Sequence, residues 1–85
     1  MVKTAREFEI VMHEVLTRIR DKNITFIDLA MKYPEDEIAE ALVECIDEKL
    51  VSGYTYRRDG HNEPVFDYVN PKLTYKGLKF LDEQS

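Results

Sequence analysis

The residues of this chain that could do chemistry are its carboxylates, its few clustered cations and its tyrosines. Residues 35–49 carry Glu35, Asp36, Glu37, Glu40, Glu44, Asp47 and Glu48 against Lys49 alone, seven acids to one base, a net of −6. The whole chain, with 12 basic and 17 acidic residues, nets −5, so this segment accounts for the entire negative balance. Ile38, Leu42, Cys45 and Ile46 recur at helical spacing. The opposite, outward face would then present Asp36, Glu40, Val43, Glu44 and Asp47. Acids in a first helical turn suit the positive end of the dipole, and charge runs often do no more than solvate a helix. The same stripe is a candidate protein-binding surface, able to dock on a basic partner or to imitate a polyanion. It is a poor reader of DNA, because groove-reading helices use Arg, Lys, Asn or Gln for base edges and cations for phosphates. One acid could accept from a cytosine amino group; a row of them repels the backbone.

The second constellation is basic. Arg57 and Arg58, with His61 in the following turn and Lys72 and Lys76 beyond, form the candidate DNA-binding set, able to touch a phosphate backbone. Ordinary surface charge on an edge hairpin, which discourages edge-to-edge aggregation, is the commoner use of such cations. Tyr54, Tyr56, Phe66 and Tyr68 are concentrated in the same region. Cross-strand packing is the common use of such aromatics, and any that face outward offer an interface or a stacking platform.

Other chemistries lack their residues. His13, Cys45 and His61 match no metal-ligand spacing, and Cys45 falls on an apolar helical face where a thiol behaves as a small hydrophobe. No Ser/His/Asp set and no cradle of glycines for phosphate is present; the chain has 3 glycines, none clustered. The expectation is a non-enzyme with no cofactor and no metal.

These groups must be held by a small scaffold. Eighty-five residues, 44% hydrophobic and 34% charged, give one domain over 1–85 with a modest core. No apolar run approaches the ~18 residues of a membrane span, and the N-terminus reads as helix rather than signal peptide. A single cysteine suits a reducing cytoplasm. Helix 1 starts at Thr4, whose spacing to Glu7 is that of a capping box, and runs on a Phe8, Met12, Val15, Ile19 stripe to about Asn23. A short helix 2 starts at Thr25, with Ile24 and Leu29 as a staple and Asp28 as a capping acid, and stops before Pro34. Helix 3 runs from about Pro34 to Lys49, and Gly53 is the expected left-handed residue that releases the chain into strand. Strands at Tyr54–Arg58 and Val65–Val69 flank a turn at Asp59-Gly60 or Gly60-His61, Pro64 fits an edge or strand start, and Asn70-Pro71 ends the second strand. The register is open. Thr74 caps a short last helix.

Ile24-Thr25-x-x-Asp28-Leu29-Ala30, then Ile38-x-x-Ala41-Leu42-x-x-Cys45-Ile46-x-x-x-Leu50-x-x-Gly53-Tyr54, resembles a winged helix-turn-helix domain. Leu73-Thr74-x-Lys76-Gly77-x-x-Phe80-Leu81-x-Glu83-x-Ser85 is similar to the close of small winged-helix proteins of the YjcQ type, often carried by bacteria and their prophages. The resemblance covers roughly residues 24–85. It implies an α+β fold of three helices, a β-hairpin wing and a short C-terminal helix. It also implies DNA contact through helix 3 and the wing, a role the acids of helix 3 oppose. Two expectations follow: a protein-binding or self-associating module using helix 3, and a DNA-binding transcriptional regulator that uses the wing instead.

Overall fold

The computed structural model describes residues 4–22 and 26–84. The fold is α+β: four helices and a two-stranded antiparallel hairpin. Helix α1 spans Ala5–Arg20, α2 Ile27–Ala30, α3 Glu35–Asp47, β1 Val51–Arg58, β2 Pro64–Leu73 and α4 Tyr75–Gln84. Thr4 caps α1 as its spacing predicts, its hydroxyl accepting the Glu7 N–H at 3.1 Å. Val11, Met12, Val15, Leu16 and Ile19 of α1 are buried against Leu29 of α2, Ile38, Ala41, Leu42 and Cys45 of α3, Val51 and Tyr54 of β1, and Leu81 of α4. Ile46, expected in that core, is only half-buried at its edge.

Helix α2 is a single turn. Ile24 and Thr25, its expected staple and cap, lie outside the described residues. Phe26 precedes the helix in the left-handed region with no side-chain cap. Ions hold this turn instead. The Asp28 carboxylate accepts from Arg18 Nε and Nη2 at 3.0 and 2.6 Å. One residue beyond α2's C-cap, Lys32 reaches Glu14 at 3.0 Å. Both partners stand on α1 four residues apart, so one face of α1 bolts α2 in place.

Two chain reversals come from lysine; Asn23, expected just past the first helix, lies outside the described residues. Lys22 (φ 66°) closes α1 and Lys49 (φ 61°) closes α3. At the second, Lys49 N–H donates to Ile46 O and Leu50 N–H to Cys45 O, the paired bonds of a Schellman ending. Gly53 (φ 84°) lies inside β1, at a bulge. A side chain there would strike the carbonyl oxygens of Val69 and Asn70. The register steps from Ser52↔Lys72 to Tyr54↔Tyr68, so Val69, Asn70 and Pro71 oppose Gly53 alone. Asn70-Pro71 therefore kinks β2 rather than ending it, and the strand continues to Leu73. A bulge tolerates a proline because no ladder N–H is needed there. Thr74 then joins two helix ends: its hydroxyl donates to Lys49 O at 2.7 Å and accepts the Gly77 N–H at 3.1 Å.

Candidate functional site: a groove between helix 3 and the hairpin

The pairs Tyr54↔Tyr68, Tyr56↔Phe66 and Arg58↔Pro64 put these side chains on one face of the hairpin, since alternate strand residues share a face. That face turns toward α3. Ring centroids lie 5.6 Å apart for Tyr54 and Tyr68 and 6.3 Å for Tyr56 and Phe66, both tilted. Tyr54 is buried, Tyr56 and Phe66 are half-buried and Tyr68 is exposed.

Strand β1 is tied to α3 along the very stripe read as its outward face. Arg58 Nη2 meets Glu40 Oε1 at 3.1 Å, and Nη1 donates to the Asn62 carbonyl at 3.1 Å. The Tyr56 hydroxyl donates to Asp47 Oδ1 at 2.9 Å, and this bond to a carboxylate holds the phenol's pKa above its ordinary value. Val43, between these two attachments on the helix, is 6% exposed. Its expected outward placement is therefore corrected: a strand covers that part of α3. Glu40 and Glu44 are half-buried, and only Asp36 and Asp47 of the five stripe residues are exposed.

The basic set is dispersed. Arg57 and Arg58 point to opposite faces of β1 by strand alternation, and Arg58 is committed to Glu40. Arg57 lies 3.9 Å from Asp67, Lys76 lies 3.8 Å from Glu48, and His61 and Lys72 are exposed. The tip that carries His61 is held by Asp59, whose Oδ1 accepts the His61 and Glu63 N–H groups at 2.8 and 3.1 Å. The backbone N–H groups of Glu63 and His61 keep the Asp59 carboxyl below its ordinary pKa.

An open groove of about 660 Å³ lies between the α2 segment, the first half of α3 and the hairpin. Phe26, Ile38, Leu42, Tyr54, Phe66 and Tyr68 supply its apolar lining. Glu35, Asp36, Glu40 and Glu63 stand at it against Arg58, four carboxylates to one guanidinium, a net of −3. Of the four acids only Glu40 is in an ion pair among the described residues. The sequence singled out Asp36, Glu40 and Arg58. It missed Glu35, Glu63 and Phe26, because membership depends on a hairpin register that residue types alone leave open.

Cys45 is fully buried, and burial, with the charge of Glu44 adding to it, pushes its thiol up to about 12. Among the described residues no group of three or more His, Cys, Asp or Glu could hold a metal, and no helix is long and apolar enough to cross a membrane. Compared with known proteins, the chain matches no family model, no curated protein and no solved structure.

Proposed function

We propose that this chain is a non-enzymatic winged-helix module that binds protein rather than nucleic acid, with the first half of α3 at its binding surface. The observation that carries this reading is the groove: an apolar floor with a surplus of carboxylates beside it. Buried apolar contact surrounded by polar groups is what protein partners use, whereas a duplex rewards released counterions at cations. The hairpin's arginines each face a carboxylate, Arg58 at 3.1 Å and Arg57 at 3.9 Å. A phosphate would have to compete for both.

The competing reading, a transcriptional regulator touching DNA through the hairpin, is favoured by one observation. The Arg57 side chain is 72% exposed with only a long contact to Asp67, and Lys72 on β2 is exposed, so the hairpin keeps cations within reach of a phosphate.

Fluorescence anisotropy with a labelled random duplex separates the two. The protein-binding reading expects affinity weaker than the usual ~10⁻⁴–10⁻⁶ M non-specific range at ~0.15 M salt. Micromolar binding that falls steeply with salt overturns it. In that event Arg57→Ala with Arg58→Ala should abolish binding. Glu40→Gln with Glu44→Gln should strengthen it by removing like charge.

A further inference from the structure

The groove is specific about what would fill it. Its floor is aromatic and aliphatic: Tyr54, Phe66 and Tyr68 from the hairpin face Ile38 and Leu42 from α3. A volume of about 660 Å³ lies within the range of sites that bury compact ligands, and suits a few side chains rather than a whole domain face. The carboxylates at it are unevenly used. Glu40 has Arg58, while Glu35, Asp36 and Glu63 have no cation among the described residues. Glu35 and Asp36 sit in the first turn of α3 and Glu63 at the hairpin tip just before β2, so acids approach the groove from two sides. Phe26 and Ala30 bring the α2 segment to the groove, and Ile27 and Met31 beside them in sequence are 70% and 86% exposed.

We propose, resting on the protein-binding reading above, that the groove takes a short linear segment of a partner protein. That segment carries a large aromatic or aliphatic side chain beside at least one Arg or Lys. The apolar side chain enters between Ile38 and Phe66. The neighbouring cations meet Asp36 and Glu35 on one side and Glu63 on the other. Charge complementarity selects this occupant. A second copy of the chain, itself net −5, would bring more acids than bases to a site that is already −3. Exposed ion pairs contribute little each, so the apolar anchor supplies affinity and the acids choose among anchors.

The test is selection of a displayed library of random 12-residue peptides on the folded chain, with Ala39→Arg as counter-selection. Ala39 lines the groove, and an arginine there would both occupy it and reduce its net charge from −3 to −2. Circular dichroism confirms that the variant folds. Glu63→Lys, on an exposed residue at the hairpin tip, repeats the counter-selection if Ala39→Arg does not fold. The expected result is enriched peptides pairing Phe, Tyr, Trp, Leu or Ile with Arg or Lys, binding the variant at least tenfold more weakly. Peptides that bind the variant equally well overturn the groove but leave protein binding intact. Enriched acidic peptides, or a concentration-dependent dimer that Ala39→Arg dissolves, also overturn it. Failure of the parent reading is seen separately, as salt-sensitive binding of duplex DNA.

Discussion

Gly77→Ala sets two rules against each other and lets the structure decide. Gly77 is the third residue of α4, where helix propensity favours alanine by about 1 kcal/mol. The structure opposes it. A Cβ at Gly77 would collide with the Leu50 carbonyl oxygen and stand 3.0 Å from its carbon. Leu50 cannot yield: its N–H is held by Cys45 O at 2.9 Å and its carbonyl accepts the Thr74 N–H at 3.0 Å. Helix α4 must move instead. That strains the Thr74 bonds to Leu50 and Lys49, at about 0.5–1.5 kcal/mol each, and loosens the buried Leu81. Forcing one methyl into close packing costs about 1–3 kcal/mol. With the propensity gain subtracted, we expect a net loss of about 1–5 kcal/mol. In a domain of this size each kcal/mol lowers Tm by about 4–8 °C, so Tm should fall by at least about 4 °C. Urea melts followed by circular dichroism measure it. Gly60→Ala is the control: nothing lies within 4 Å of a Cβ there, so it should stay within about 0.5 kcal/mol of the parent. A Gly77→Ala variant as stable as the parent, or more so, would refute the placement of α4 against the end of α3.

Leu42→Ala, emptying a buried site, should cost about 2–5 kcal/mol, whereas Ile46→Ala at the half-buried edge should cost roughly 1–2, both read from urea melts. Cys45, with its thiol pushed up to about 12, should resist iodoacetamide in the native protein at neutral pH and label readily in urea, as mass spectrometry would record. Arg18 hydrogen-bonded to Asp28, and the backbone N–H groups of Glu63 and His61 at Asp59, hold both carboxyls below their unfolded pKa. Their contribution is therefore present above about pH 4 and lost as pH falls through the lower folded values. Thermal melts should show Tm falling below about pH 4, with a shallower fall in Asp59→Asn.

Periodicity made the helices legible. Thr4, the α1 stripe and Thr74 each announce themselves by spacing, and the structure uses them so. The left-handed closures at Lys22 and Lys49 were not legible, because lysine advertises no such preference; hydrogen bonding across the helix end imposes it. The three-residue bulge opposite Gly53 was hidden for a related reason. Strand residues show that they prefer extended backbone, but not which partner they face. Register in turn decides the site. Charge counting on α3 assumed that the face opposite the core was free. Tyr56 and Arg58 reach across to Asp47 and Glu40, and Val43 is buried between them. Long-range packing, not local pattern, leaves Asp36 at the groove and removes Val43 from it.

Amide chemical-shift mapping tests the central claim most directly. The ¹⁵N-labelled chain would be titrated at ~0.15 M salt with a library-selected peptide and, separately, with a random duplex. The peptide should move the amides of Ala30, Ala39 and Tyr68, which line the groove, and the duplex should move none below about 10⁻⁴ M. Micromolar duplex shifting Arg57, Lys72 and Lys76, with the groove amides unmoved by any peptide, would contradict it.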